Sequence, residues 1–235
     1  WGYACDQRDT GMGGGAGLMF ASTYKIATER TRFAMPEIGV GLFPDVGFTS
    51  VIKDLPEGLG LYIMLTASQL NASDMHFCNL VDSCLSYEKM EDFLSDILEV
   101  AWQDEVNKNL TLLDSILKSS SYLEELETFP SSKIEGELEK IQSMTNEDNL
   151  TSVVDNILSH ATEDEWFQRG KESLMKGSPT SAHLIWLQHL NSSNLSLKEV
   201  FNFELNLAIQ ITRIGDFKEG IRSLIIDKDN KPNWK

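Results

Sequence analysis

A glycine-rich run near the start of the chain limits what this sequence can fold into and do. Residues 12–18 read MGGGAGL, and they are followed by MPE at residues 35–37 and GLFPDVG at residues 41–47. Glycines let a ligand approach backbone N–H groups closely, as a carbonyl oxygen that gains charge requires. A carboxylate beside such a turn can act as a nucleophile or activate one. The motifs therefore predict a site that contains the glycine turn, Glu37 and Asp45.

Each of these motifs is weak evidence when it stands alone. A triple glycine is usually a simple helix start, a Glu after Pro is common on surfaces, and Asp45 is a plausible helix N-cap. Glu37 and Asp45 are eight residues apart, so they do not share a helix face. The glycines and Pro44 between them are compatible with a chain that doubles back and brings both acids to one pocket.

The composition is typical of a soluble globular protein and argues against two classes of partner. Hydrophobic residues make up 41% and charged residues 24% of the 235 residues. No apolar run approaches the length of a membrane span, and the start does not resemble a signal peptide, so we expect an intracellular protein without a membrane partner. The net charge is −16, and residues 101–170 hold 15 acidic residues against 5 Lys and Arg. Such a field repels phosphate backbones, which makes nucleic acid an unexpected partner.

The cysteines and histidines predict no metal site. Cys5, Cys78 and Cys84 have neither metal-ligand spacing nor the pattern of a disulfide framework. The four histidines share no ligand spacing with acidic residues. We therefore expect no bound metal.

The first part of the chain alternates between helical and strand patterns, which predicts a layered β/α core. We expect a helix that starts on the glycine turn at residues 15–23 and a buried helix at residues 57–67. Asn71 is predicted to cap a short helix at residues 72–77. Strands are predicted at residues 24–28, 31–34 and 79–82.

After Tyr87 the pattern becomes that of amphipathic helices. Three helix starts are predicted at Thr162 with Glu165, at Ser178 before Pro179, and at Ser196 with Glu199. The helix at residues 196–214 carries apolar residues on more than one face, so we expect it to be sandwiched. The chain is therefore divided into a partial core with the active-site motifs, residues 1–86, and a helical C-terminal region, residues 87–235, that packs on it.

The ordered motifs GGGxGL, MPE and GLFPDVG resemble the crotonase (enoyl-CoA hydratase) superfamily, and above all its 3-hydroxyisobutyryl-CoA hydrolase branch. The resemblance covers residues 12–82 and returns in the tail, with SPTS at 178–181 and DFKEGIR at 216–222. It implies an α/β fold with a crotonase-like ββα spiral core and a mostly α-helical C-terminal region. The superfamily has further strands before the glycine turn, whereas residues 3–10 here are polar. We therefore expect the N-terminal part of the core to be missing or rearranged.

The resemblance also implies roles for single residues. The backbone N–H of Gly14 would be one of two donors to the thioester oxygen, and Glu37 would be a catalytic carboxylate. Asp45 would be the second catalytic group, and Gly13 would contribute to substrate binding. The hydratases of the superfamily carry a second catalytic Glu where this chain has Gly17, and Gly where it has Asp45. This difference favours the hydrolase.

The predicted function is hydrolysis of a short branched β-hydroxyacyl-CoA, 3-hydroxyisobutyryl-CoA in valine breakdown. The alternatives are a hydratase or isomerase on the same scaffold, or a non-catalytic paralogue that binds CoA or a partner protein. No cofactor is expected, since CoA is part of the substrate, and a homo-oligomer is compatible with the sequence. The expected location is the cytoplasm in a bacterium or the mitochondrial matrix in a eukaryote. The polyanionic CoA would need a local basic patch, for which the sequence offers Lys25, Arg30, Arg32, Lys218 and Arg222.

Overall fold

The computed structural model describes residues 4–6, 12–118 and 128–235. The chain forms two compact units, each built from segments that are separate in sequence. The first unit comprises Trp1–Gly11, Leu18–Phe33 and Leu70–Gly136. The second unit comprises Met12–Gly17, Ala34–Gln69 and Glu137–Lys235.

The first unit contains a parallel sheet of three short strands in the order β1–β2–β3. The strands are β1 (Ala4–Asp6), β2 (Tyr24–Ala27) and β3 (Ser83–Cys84). Ile26 in the central strand is opposite Asp6 on one side and Ser83 on the other. Parallel strands need crossover connections, and helix α1 (Gly14–Ala21) lies between β1 and β2 in the chain. The predicted strand at residues 24–28 and the predicted helix at 15–23 are confirmed.

Two predicted strands are wrong in place or extent. At residues 31–34 the structure has an isolated antiparallel β-bridge instead of a strand, in which Phe33 and Leu70 exchange both backbone hydrogen bonds. The strand does not extend because the Thr31 N–H turns back to the carbonyl of Thr28. At residues 79–82 the chain still closes the preceding helix, since Asn79 has a φ of 55° and Leu80 N–H donates to the Met75 carbonyl. The strand therefore starts only at Ser83.

The first unit contains helices α4 (Ala72–Phe77), α5 (Met90–Glu99) and α6 (Val106–Leu117). Helices α5 and α6 pack around an apolar cluster beside the sheet. Helix α7 (Lys133–Thr145) begins in the segments of the first unit and ends in those of the second. The buried members of the cluster are Ile26, Leu85, Met90, Phe93, Leu113 and Leu117. Amphipathic spacing on α5 and α6 explains why these helices bury one face only.

The described residues of the second unit form helices joined by turns and loops. A 3₁₀ helix (Glu37–Val40) is followed by α2 (Phe48–Ile52), α3 (Leu59–Thr66), α8 (Leu150–Ser159), α9 (Glu165–Lys176), α10 (Pro179–Asn191), α11 (Leu197–Ile214), α12 (Phe217–Ile221) and a π-helical turn (Arg222–Ile226). Every residue of α3 is buried, and this helix packs against α9 and α10. A helix that is apolar all round belongs in a core, so the predicted buried helix at residues 57–67 is confirmed.

Local hydrogen bonds decide where the helices begin. Asn71 caps α4, and Ser196 and Glu199 form a capping box at α11, both as predicted. At α4, Asp74 completes a second reciprocal box that was not predicted from the sequence. Ser178 accepts from the Ser181 N–H at the start of α10, also as predicted. The box predicted at Thr162 is wrong, because Asp164 caps α9.

Helix α11 is buried along one face, whereas the sequence predicts burial on two. Val200, Glu204 and Ile211 lie on the buried face. A neighbouring stripe is exposed to 58%, 51%, 59% and 37% at Leu197, Phe201, Leu205 and Ile209, respectively. Apolar periodicity indicates which faces can be covered, but the arrangement of the other elements decides which face is covered.

The predicted division into residues 1–86 and 87–235 stays a prediction, and each compact unit combines segments from both ranges. Within the described part of the chain, helices are too short or too polar to cross a lipid bilayer.

Asp74 is a buried carboxylate that joins two helix starts in the first unit. Its Oδ2 accepts from the Asn71 N–H, and its Oδ1 accepts from Ser132 Oγ, Lys133 N and Ile134 N at 2.7–2.9 Å. The side chain is 1% exposed. One carboxylate thus satisfies N–H groups that would otherwise lack partners at the beginning of α4 and α7.

Asp74→Asn is expected to lower the free energy of unfolding by about 3 kcal/mol, because hydrogen bonds to a charged acceptor are lost and buried donors are left unpaired. Urea denaturation measures this change. The matched control is Asp114→Asn, since Asp114 pairs with an exposed lysine, Lys118. The control should unfold at the urea concentration of the parent, and equal midpoints for both variants would contradict the assigned role of Asp74.

Candidate active site

The glycine turn opens helix α1 and presents free backbone donors. Gly13 has a φ of 51°, and α1 begins at Gly14, one residue earlier than predicted. Gly14 is exposed, and its backbone N–H makes no hydrogen bond to a described residue. Apart from its chain neighbours and its own helix, no described atom lies within 4 Å of the position a Cβ would take. A helix N-terminus with an uncovered N–H is suited to bind an oxygen that carries negative charge.

Glu37 lies against this turn with one carboxylate oxygen unsatisfied. It begins the 3₁₀ helix directly after Pro36, and its side chain is 6% exposed. Oε1 is 3.7 Å from where a Cβ on Gly13 would be, and Oε2 is buried without a hydrogen-bond partner. Buried polar groups are normally paired, so an unpaired carboxylate oxygen at this place indicates a group kept ready for a ligand or water.

Burial and, to a smaller extent, the negative charge of Asp45 raise the pKa of Glu37 from its ordinary value of 4.5 to about 7. Burial also raises the pKa of Asp45, which is half-buried. The negative charge of Asp45 acts on Glu37, so the two acids lie near each other, and their common role in one site stays a prediction. A carboxyl with a pKa near neutrality is suited to take and return a proton.

Asp45 lies in a turn and does not cap the helix that follows, so its predicted role as a helix N-cap is wrong. Its backbone carbonyl accepts from the Phe48 N–H at 3.0 Å, while the N-cap position of α2 is Gly47. Val46 between them has a φ of 57°, which is an outlier for a β-branched residue and costs about 1–3 kcal/mol. The carboxylate of Asp45 is therefore not used to start α2, and the turn that carries it is strained.

Gly17 gives a physical reason why the second hydratase acid is absent. A Cβ added at Gly17 would lie 2.8 Å from Cβ of Val46. Real Cβ atoms do not approach so closely, so any side chain at this position would displace the turn that carries Asp45. In this chain, Asp45 in its present turn and an acid at position 17 exclude each other.

Segments far along the chain hold the Glu37 loop, and sequence inspection missed them. Ser178 N–H donates to the Ile38 carbonyl at 3.0 Å, and Ser178 Oγ donates to Asp216 Oδ2 at 2.7 Å. The backbone of Gly220 touches Val40, where an added Cβ would be 1.9 Å from the Val40 oxygen. The C-terminal segment therefore fixes the segment that carries Glu37.

Glu204 and Gln188 hold the Asp45 turn in the same way. Glu204 accepts from the backbone N–H groups of Gly47 and Thr49, and Gln188 donates to the carbonyl of Pro44. One signal for Glu204 was present in the sequence, since this acid falls on the same helix face as Val200 and Ile211. A charged residue on an apolar stripe indicates a buried partner.

A cavity of about 560 Å³ borders Glu37 in the second unit. Its walls are mostly apolar and include Ile38, Val40, Leu224, Ile225 and Pro232. Its volume lies in the range typical of small-molecule sites. Within the described ranges, His, Cys, Asp and Glu side chains do not come together in groups of three that could hold a metal ion.

Some of the basic residues suggested for a CoA-binding patch form ion pairs with acidic residues of this chain. Arg222 forms ion pairs with Glu219, Asp227 and Asp229 at 2.6–2.7 Å. Lys25 pairs with Asp82 at 3.4 Å. Arg222 is therefore neutralised by three carboxylates, and its structural role is to brace the C-terminal segment.

Asp45→Asn is expected to lower the pKa of Glu37 from about 7 while leaving it above 4.5, because the negative charge is removed and burial remains. Carboxyl ¹³C NMR titration of Glu37 measures this directly. Asp148→Asn is the control, since it removes one negative charge at an exposed position. An unchanged Glu37 titration in Asp45→Asn would show that the two acids do not share a site.

Glu37→Gln is expected to stabilise the fold at pH 8. The folded protein holds the Glu37 proton up to about pH 7, whereas the unfolded chain loses it near 4.5. The stability that protonated Glu37 contributes is therefore complete below pH 4.5 and is lost as pH rises to 7, in total about 3 kcal/mol. Urea denaturation of parent and variant from pH 4 to 8 tests this. A parent-minus-variant difference that does not fall with pH would contradict the raised pKa.

Comparison with known proteins places these motifs in a family. Residues 10–235 match the family model described as enoyl-CoA hydratase/isomerase. The mitochondrial 3-hydroxyisobutyryl-CoA hydrolase of Danio rerio is 33% identical over 95% of this chain and 57% of its own length. The human protein of the same name is 30% identical over 95% of this chain and 56% of its own length. The chain thus spans somewhat more than half the length of these relatives.

Solved structures confirm the predicted crotonase-like α/β fold. An enoyl-CoA hydratase from Rhodobacter sphaeroides superposes with a TM-score of 0.77 at 22% identity, over 96% of this chain and 60% of the other. A carnitinyl-CoA dehydratase from Mycobacterium thermoresistibile superposes with a TM-score of 0.79 at 22% identity, over 95% of this chain and 60% of the other. Such low identities establish the fold alone. Together with the family match, they show that this chain belongs to the enoyl-CoA hydratase/isomerase family.

Proposed function

We propose that the protein hydrolyses the thioester of 3-hydroxyisobutyryl-CoA to 3-hydroxyisobutyrate and CoA, a step of valine catabolism. The observation that carries this proposal is the buried Glu37 carboxylate at the glycine turn. Its Oε2 has no described hydrogen-bond partner, and its Oε1 is 3.7 Å from the position that a Cβ on Gly13 would take. The relatives' names support the substrate, since the proteins of Danio rerio and human are 3-hydroxyisobutyryl-CoA hydrolases.

In the proposed reaction, the thioester oxygen accepts a hydrogen bond from the Gly14 N–H, and Gly13 lets the substrate approach. Glu37 attacks the carbonyl carbon or activates a water against it. If Glu37 attacks, the C–S bond breaks to give an acyl–Glu37 anhydride, which water then hydrolyses to the free acid and the Glu37 carboxylate. If water attacks, the C–S bond breaks to give the free acid directly. In both cases the leaving thiolate takes a proton. Asp45 orients the substrate hydroxyl or the water, or supplies that proton.

The geometry disfavours a hydratase, because the position of its second acid, Gly17, has no room for a side chain while Val46 is in place. An isomerase needs only one base, so product analysis must separate it from a hydrolase. A non-catalytic paralogue would bind acyl-CoA without turnover.

Several associated properties are part of the same proposal. No cofactor takes part, because water and the two carboxyls suffice for thioester hydrolysis and CoA belongs to the substrate. The protein acts in the mitochondrial matrix if its source is a eukaryote, in line with its mitochondrial relatives. In a bacterium it acts in the cytoplasm. The proposal also includes self-association into a homo-oligomer. It includes neither a nucleic-acid partner nor a membrane partner.

The protein should release free thiol from 3-hydroxyisobutyryl-CoA, which a thiol-trapping reagent reports. Glu37→Gln should lower this rate by roughly 10²- to 10⁴-fold, since it removes the base or nucleophile at nearly unchanged size. Glu139→Gln, at an exposed position of α7, is the control and should turn over like the parent. Parent-like turnover by Glu37→Gln would overturn the mechanism. Hydration of crotonyl-CoA without thiol release would replace the hydrolase with a hydratase.

A further inference from the structure

We propose that Glu204 is a positioning residue that holds Asp45 in the active site by fixing the turn at residues 44–49. This inference rests on the proposed function, because it assumes that Asp45 acts on the substrate. Glu204 itself belongs to helix α11 and lies 159 residues from Asp45 in the sequence. It does not touch the reacting atoms and acts through the backbone of the turn.

Three hydrogen bonds connect Glu204 to the turn. Gly47 N–H donates to Oε2 at 2.7 Å, Thr49 N–H donates to Oε1 at 3.1 Å, and Thr49 Oγ1 donates to Oε1 at 2.8 Å. The Glu204 side chain is 4% exposed. A carboxylate that is buried this deeply costs free energy unless it is fully hydrogen-bonded, and here both oxygens are bound to the turn that carries Asp45.

The turn needs an external acceptor because of its backbone conformation. Val46 and Gly47 have φ values of 57° and 84°, so two successive residues are left-handed. This conformation points the N–H groups that follow to one side, toward the start of α2, where no side chain of α2 itself caps them. Glu204 supplies the missing cap from another helix and thereby fixes the direction in which Asp45 leaves the backbone.

Gln188 and Phe201 also contact the turn at residues 44–49 and help to fix it. Gln188 in α10 donates from Nε2 to the Pro44 carbonyl and, at 2.8 Å, to Thr49 Oγ1. The ring of Phe201, one turn before Glu204 in α11, packs on Gly47, where an added Cβ would be 3.2 Å from the ring. Both ends of the turn are therefore held, and a movement of α11 would move Asp45.

A carboxylate is required at position 204, since an amide cannot replace it. The three atoms of the turn that hydrogen-bond Glu204 all donate to it, and one end of a Gln side chain would place its own N–H₂ against these donors. The charge has a cost, because burial and the nearby charge of Asp45 raise the pKa of Glu204. A neutral acceptor at position 204 would avoid the repulsion between two negative charges. It would not hold two N–H groups as rigidly, because that requires both oxygens of a carboxylate.

The test uses NMR on the 235-residue chain and does not depend on turnover, so failure of the hydrolase assay leaves it valid. In Glu204→Gln, hydrogen-exchange protection of the Gly47 and Thr49 amides should fall about 10- to 100-fold, as expected for loss of a hydrogen bond to a charged acceptor. The pKa of Asp45, read from its carboxyl ¹³C signal, should fall toward the ordinary value of an aspartate, because the released turn exposes it to water.

Thr49→Val separates positioning from charge, because it removes the hydroxyl that donates to Glu204 and accepts from Gln188, and it leaves the Glu204 carboxylate in place. It should lower the same protection factors and the same pKa by a smaller amount, and it covers the case in which Glu204→Gln does not fold. Asp74→Asn is the control, a buried capping carboxylate whose hydrogen bonds within the described ranges are to residues 71 and 132–134. It should destabilise the protein and leave both readouts of the turn unchanged. Parent-like protection of Gly47 and Thr49 in Glu204→Gln, or a parent-like Asp45 pKa in Thr49→Val, would overturn the proposal.

Discussion

The site depends on one unfavourable arrangement, a buried carboxylate at Glu37 with an oxygen that no described residue satisfies. Such a group costs free energy, and its cost appears as a pKa near neutrality. The surrounding structure must therefore prevent the side chain from turning toward solvent. Ser178 and Gly220 do so by fixing the segment that begins at Glu37.

Asp45, the second acid, is also held by contacts from a distant segment of the chain. Asp45 lies in a turn with two left-handed residues, and Glu204 compensates the strain by accepting three hydrogen bonds. Both acids are thus carried by short segments with little regular structure of their own, and the helices of the second unit supply the rigidity. This division of labour is common in enzymes, where loops carry the chemistry and a scaffold positions them.

Particular elements show how far sequence reasoning reached. The caps at Asn71, Ser178 and Ser196 were predicted correctly because a cap depends on residues within one helical turn. The strands expected at residues 31–34 and 79–82 failed because pairing depends on a partner elsewhere in the chain. The same limit explains the exposed stripe on α11, since periodicity cannot indicate which apolar face finds a partner.

The sequence by itself determined the family and the position of the glycine turn, because these depend on residue types in a fixed local order. It predicted the two acids of the candidate site. It also contained the change from acid to Gly17, but not the reason for it. Only the tertiary structure decided that Val46 fills the space beside Gly17, that Glu37 is buried with an unpaired oxygen, and that Glu204 holds the Asp45 turn. These properties arise from contacts between segments up to 157 residues apart, and burial and electrostatics are set by such contacts.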